Sequence, residues 1–233
     1  MAMTAAHPLA VLPLRRTNLD WTCLVIGSMA PDFEYFLRLE AANSFGHSWV
    51  GLFLFCLPVT LCVAWLFHRV IKRPLVHVAP FGDRLAVFAD HPWRLTWSCV
   101  PAALIGALTH DLWDGITHPD MFGPQHIKWL SMPVHVPVVG EMLRCRVLQY
   151  GSTAVGLVVL GIAAWRALAR VTPQPRVAPT IGQRLVWVIC MLAVGALCIL
   201  HLYRADLYDP GSIAVGAIDG VLFGSLAASL ITR

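Results

Sequence analysis

The chain has 233 residues, of which 58% are hydrophobic and 13% charged, whereas soluble domains carry roughly 25% charged residues. With a mean hydropathy of +0.68, this excludes an ordinary soluble enzyme and points to a protein built within a bilayer. The net charge of +4 comes from 17 Lys and Arg scattered between apolar segments. Nucleic-acid binders gather such residues on one face, so no nucleic-acid partner is expected.

The first 16 residues, MAMTAAHPLAVLPLRR, do not have the form of a signal peptide. Their apolar stretch is short, Pro8 and Pro13 interrupt it, and the Arg pair follows it instead of preceding it; the expectation is a retained start. Further on, LDWTCLVIGSMAPDFEYFLRLE is only partly apolar, with Pro31, Asp32 and Glu34 in its middle. Residues 19–39 are therefore expected to form short helices packed on the bundle or dipping into the interface. Backbone at membrane depth must be covered by protein.

About five spans follow. The first is 48–68, SWVGLFLFCLPVTLCVAWLFH, which is expected to stop at RVIKRP. The second is 96–117 and the third 149–168. The polar break HLYRADLYDPGS divides the last apolar region into 185–202 and 212–231. Each approaches the roughly 20 apolar residues that a bilayer core requires. Residues 118–146, with four prolines, read as an ordered loop without long helices, and 171–183 as a Pro-rich linker. The fold class is all-α: a polytopic helical membrane bundle with short N-terminal helices. It is one integral-membrane domain over 1–233, in which 1–47 contributes to the site and 48–231 forms the bundle.

Loops 69–95 and 166–184 hold nine Lys and Arg, and loops 118–146 and 203–211 hold four. The positive-inside rule places the first pair in the cytoplasm. His47 and His118 then fall at the outer face of a membrane, most simply a bacterial inner membrane. The seven cysteines form no CxxC pair, and those inside apolar runs act as small hydrophobes. The odd count argues against a complete disulfide framework. Neither GxxxxGK[ST] nor GxGxxG occurs, so no nucleotide cofactor is expected.

The chemistry concentrates in THDLWDGITH, residues 109–118. His110 and Asp114 are four residues apart, one above the other on a helix. Two ligands so spaced can grip one metal ion, as HExxH does for zinc. His118 continues the stripe if the helix continues, and Asp111 stands one position off it, where it can orient a ligating His. Ionisable groups in a span are costly and usually face an interior or a cavity. A hydrogen-bonded polar network is the competing explanation. It must account for His7, Asp32 and His47 at the same expected height. Mixed imidazole and carboxylate donors without thiolate suit one or two divalent ions, Zn first and Mn or Fe next. Gln149, Tyr150 and Ser152 start the third span at the same face, either as contacts to the site or as caps. Asp219 lies among glycines that permit close helix packing.

The stretches HPLAVLPLRR, LVIGSMAPDFEYFLRL, FGHSWVGLFLFCLPV, LIGALTHDLWDGITH and LQYGSTAVGL occur in the order found in a bacterial membrane family, domain of unknown function 4184, which the chain resembles over about residues 1–165 and more loosely beyond. More distantly, the order His…PD…HS…HxxxD is similar to that of membrane-bound metal-dependent hydrolases linked to the LexA regulon, a group likened to zinc-dependent phospholipase C. The matching positions are His7, Asp32, His47, His110 and Asp114. Gly46 stands where that pattern has Ser or Thr, and His118 is an addition.

The function expected is a membrane-embedded metal-dependent hydrolase acting on a lipid-borne or amphipathic ester, including phosphoesters. His7, Asp32, His47, His110 and Asp114 hold the metal. Asp111 or Glu34 serves as general base, and His118 as ligand or proton donor. Two alternatives remain: a metal-dependent lipid or isoprenoid transformation without hydrolysis, and a non-enzymatic ion or proton transporter or scaffold.

Overall fold

The computed structural model describes residues 4–39, 45–204 and 210–232, with side chains described from 213 onward in the last stretch. Most of the expected polar break at 203–211 thus lies outside the described residues. Helices dominate, and the described strands form one hairpin. Four described helices are long and apolar enough to cross a membrane: α4 (Trp49–Val78), α9 (Arg144–Ala169), α10 (Ile181–Arg204) and the 19 residues Ile213–Ile231 of α11 (Pro210–Ile231). Their outward faces carry exposed Phe53, Leu54, Trp65, Val158, Ile162, Leu192 and Leu197. Such continuous apolar surface is stable against lipid, not water. This is a membrane protein.

The helix carrying the opening motif, α6 (Cys99–Thr117), is not among the four. It fills the expected second span, but His110, Asp111 and Asp114 lower its hydropathy. The N-terminal expectation of short helices is met by α1 (Pro8–Val11), α2 (Trp21–Gly27) and α3 (Phe33–Arg38). None approaches spanning length. Asp20 caps α2 by accepting from the Cys23 amide at 2.8 Å, and a left-handed Leu39 ends α3.

The first span differs from expectation at its far end. It continues past Pro74 to Val78, and α5 (Gly82–Ala89) follows it. The wide turn Phe67–Ile71 has already opened the hydrogen-bond ladder just before the proline, which relieves the clash that normally stops a helix there. Residues 118–146 hold α7 (Phe122–His126), α8 (Lys128–Ser131) and the antiparallel pair β1 (Pro133–Val136) and β2 (Gly140–Leu143).

Two compact units are present. The first comprises Met1–Pro31, Phe45–Leu61 and Thr96–Trp165. Its centre is the packing of α2 on α6, where Gly27 faces the Ala103 backbone and Gly106 faces Leu24 and Ser28. A methyl group on Gly106 would stand 2.5 Å from Leu24 O and 2.7 Å from Ser28 N. Only glycine permits that approach.

The second unit comprises Asp32–Ser44, Cys62–Leu95 and Arg166–Arg233. Its core is the α10–α11 pair, which also meets through glycines: a methyl on Gly220 would stand 2.7 Å from Gly195 Cα. Asp219 is fully buried in that packing, on the same element as the glycines that allow it.

Candidate metal centre

α6 presents His110 and Asp114 on one face, and both are buried. The helix ends at Thr117. His118 turns into extended backbone while its amide still donates to Asp114 O at 2.9 Å. That bend keeps the His118 ring beside Asp114 although the helix does not continue through it. His47 arrives from another part of the chain. Ser48 caps α4 by accepting from the Gly51 amide at 2.9 Å, which fixes the residue just before the cap. Gly46 contributes its carbonyl, which accepts from the Cys56 thiol at 3.2 Å. His7 directly precedes α1, whose first residue is Pro8.

The four imidazoles surround one carboxylate. Asp114 Oδ2 lies 3.4 Å from His110 Nε2 and 3.9 Å from His47 Nε2. Asp114 Oδ1 lies 3.5 Å from His7 Nε2 and 3.4 Å from His118 Nδ1. His47 Nε2 and His110 Nε2 are 3.2 Å apart. The His7 ring stacks on that of His110 with centroids 3.8 Å apart.

The α2–α6 contact sets the orientation of His110. Its Nδ1–H donates to the Ser28 carbonyl at 2.9 Å. That bond selects the tautomer whose Nε2 lone pair faces Asp114 and His47. The carbonyl is where it is because Gly27 and Gly106 let the two helices touch.

Asp32 ends the 3-10 turn Ala30–Asp32 and is buried. It is the first residue of the second unit. Within the first unit, His47, His110 and Asp114 each offer one donor atom, and these atoms all lie within 4.8 Å of one another. Donors held at about 2.0–2.1 Å from a tetrahedral ion stand about 3.3 Å apart. The triangle of Asp114 Oδ2, His47 Nε2 and His110 Nε2, with edges of 3.2, 3.4 and 3.9 Å, is close to one face of such a tetrahedron. This cluster can hold a metal ion.

The remaining candidates are placed differently. Glu34 is buried and ion-paired with Arg38 on the next turn of α3 at 2.9 Å. Asp111 is half-buried on α6, off the His110–Asp114 stripe. His118 has 25% of its side chain exposed, against at most 5% for His7, His47, His110 and Asp114. It is the ring through which the buried cluster reaches outward.

Gln149, near the start of α9, is buried with its Nε2 at 2.7 Å from His118 Nε2. The amide donates to that nitrogen, which leaves the proton on Nδ1, facing Asp114. Ser152 accepts from the Trp113 indole at 3.1 Å, and the Trp113 and His7 rings meet edge to face with centroids 5.9 Å apart. Tyr150 is exposed. Gln149→Leu should therefore preserve metal content, because its amide touches His118 and none of His47, His110 and Asp114. Metal analysis of the purified variant beside wild type checks this.

A second group, Asp20, Cys23 and Cys99, also lies within 4.8 Å. Burial pushes the Cys23 thiol far up, with the nearby Asp20 charge acting in the same direction. Asp20 is already engaged as the cap of α2. A neutral thiol is a poor metal ligand. None of the seven cysteines is in a disulfide.

No curated protein and no solved structure matches this chain. The expected likeness to LexA-linked hydrolases is not shown by these comparisons. A family model described as domain of unknown function (DUF4184) matches residues 1–230. The chain belongs to that family.

Proposed function

We propose that the protein is a membrane-embedded metal-dependent hydrolase of lipid-borne or amphipathic esters, phosphoesters included. The observation that carries this is the triangle of Asp114 Oδ2, His47 Nε2 and His110 Nε2, at tetrahedral ligand spacing and backed by the Ser28 carbonyl. The donor set of imidazole and carboxylate favours Zn, with Mn and Fe as the other fits. A bound ion of this kind brings the pKa of a coordinated water to near 7 and polarises the scissile group.

The chain's own residues divide the remaining work. His47, His110 and Asp114 hold the ion, and His7 stacks over His110 as the further donor. His118, the most accessible ring, moves the proton, with Gln149 holding its tautomer. Asp111 is the nearest carboxylate in sequence for a base. Glu34, paired with Arg38, supports the local fold of α3. The charge asymmetry of the loops favours a site facing the extracytoplasmic side of a bacterial inner membrane, where a lipid substrate enters sideways from the bilayer.

Release of 4-nitrophenol from phosphodiester and carboxylester analogues by the detergent-purified chain, loaded with Zn, tests this. Turnover that disappears in His110→Ala supports it. Metal binding without hydrolysis of any ester would shift the assignment to lipid or isoprenoid transformation.

Because imidazoles must be neutral to bind metal, protons compete with the ion. Metal occupancy should hold at neutral pH and fall as the pH drops into the acid range where imidazoles protonate. It should fall more steeply than for a single histidine, since His47 and His110 both titrate against the ion. Equilibrium dialysis with Zn across pH 5–8 reads it.

A further inference from the structure

We propose that the β1–β2 hairpin is a lipid-docking element, whose apolar face and tip lie at the boundary between headgroups and acyl chains beside the start of α9. The hairpin joins α9 without a linker, since β2 ends at Leu143 and α9 begins at Arg144. The Arg144 amide extends the ladder by donating to Met132 O at 3.1 Å, and its guanidinium lies over the exposed Trp129 ring at 4.9 Å. After Arg144 and Arg146, residues 147–165 carry no formal charge and match the roughly 20 residues of a hydrocarbon core. At the helical rise, the base of the hairpin stands about 5 Å above that core. Trp129 is then at the depth where interfacial aromatic residues collect.

The hairpin has two unlike faces. Pairing sets Val134 opposite Met142 and Val136 opposite Gly140 on one side, and His135 opposite Glu141 on the other. His135 and Glu141 are 3.7 Å apart, with both side chains mostly exposed. No Asp, Glu, Lys or Arg occurs from 129 to 140. At the tip, the Val139 amide donates to Val136 O at 3.2 Å and closes a turn whose third residue, Val138, has φ 74°. That left-handed position ordinarily takes Gly or Asn and is disfavoured for a β-branched side chain. Val138 is nevertheless fully exposed, and Val139 largely so. A turn facing water would carry small or polar residues there. Two valines fit contact with acyl chains.

Continuity with α9 identifies lipid as the partner. Exposed Val147, Leu148, Val155 and Val158 form the lipid-facing flank of that helix, and the hairpin adjoins its first turn. The His135–Glu141 face then meets headgroups and water. Elements with one apolar and one polar face lie in the plane of the interface in this way. Gln149, in the second turn of α9, contacts His118 at 2.7 Å, so the hairpin and the most exposed ring of the His–Asp cluster share one end of the helix. The docking itself does not depend on that cluster binding metal.

Spin labelling of the full chain in phosphatidylcholine–phosphatidylglycerol vesicles tests the proposal. Cys62 and Cys190, the cysteines that are not buried, are replaced by Ala, and a nitroxide is attached in turn to Val138→Cys, Val139→Cys and Glu141→Cys. Val158→Cys, on the lipid-facing flank of α9, supplies the reference for lipid. Collision with oxygen, which concentrates among acyl chains, is compared with collision with a water-soluble nickel chelate. Nitroxides at 138 and 139 should favour oxygen and read a depth of about 5–10 Å into the headgroup–acyl boundary. The nitroxide at 141 should favour the chelate. Circular dichroism verifies that each variant is folded. Nitroxides at 138 and 139 that favour the chelate as strongly as the one at 141 overturn the proposal, because the tip then stands in water. Shielding of both from either reagent also overturns it, because a second copy of the chain or another protein then covers the tip.

Discussion

Asp114→Asn should abolish metal binding while leaving the chain folded. Both oxygens of Asp114 lie within 3.9 Å of histidine nitrogens, two rings on each side, so this one carboxylate joins all four imidazoles. Asn keeps the shape and one carbonyl acceptor but removes the negative charge and offers N–H where a lone pair is needed. The expected loss of Zn affinity is at least about 100-fold, beyond what removal of an outer partner typically costs. Asp114→Ala should lose the metal equally and also destabilise the fold, because the His118 Nδ1–H then lacks its acceptor. A Zn competition titration, paired with thermal unfolding in detergent, separates the two effects. If the Asp114→Asn variant bound Zn as wild type does, the carboxylate would be a structural acceptor only.

Gly106→Val should be the most disruptive substitution away from the ligands. The added Cβ would meet backbone of Leu24, Ser28 and Gly27 at 2.5–2.9 Å. None of these atoms is the end of a flexible side chain, so α2 must move. Overpacking ordinarily costs 1–3 kcal/mol, and a backbone clash belongs at about the top of that range or above it. The displacement also takes the Ser28 carbonyl away from His110 Nδ1, now 2.9 Å distant. The prediction is therefore coupled: a lower unfolding temperature together with about tenfold weaker metal binding. Gly115→Ala on the same helix is the control, since a methyl there meets nothing within 4 Å. It should leave both unchanged.

The parts of this centre legible in the sequence were those on one helix. His110 and Asp114 are four residues apart, and helical geometry alone brings them together. His7 and His47 could be grouped with them only by expected height and by family resemblance. The structure brings both rings to Asp114. The Ser28 carbonyl was not legible, because a backbone acceptor leaves no trace in residue identity. Its signal was indirect, in two glycines, Gly27 and Gly106, that allow a close helix contact. His118 would share the helical stripe only if the helix continued; the helix ends at Thr117, and His118 reaches Asp114 from beyond that end. The i,i+4 spacing of Glu34 and Arg38 already contained the ion pair that holds Glu34. The continuation of α4 past Pro74 depended on a wide turn, a feature of hydrogen-bond register that composition does not encode.

The central claim is that the His–Asp cluster is a metal site. Its most direct test is the metal content of the detergent-purified wild-type chain by elemental analysis, beside His110→Ala/Asp114→Ala. One or two equivalents of Zn, Mn or Fe in wild type, absent from a double variant of unchanged helicity, is the predicted result, and the range is about what this donor set can ligate. A wild-type chain that carries no metal and takes up none on dialysis against Zn, Mn and Fe would contradict the claim. The four imidazoles and Asp114 would then be a buried hydrogen-bonded network.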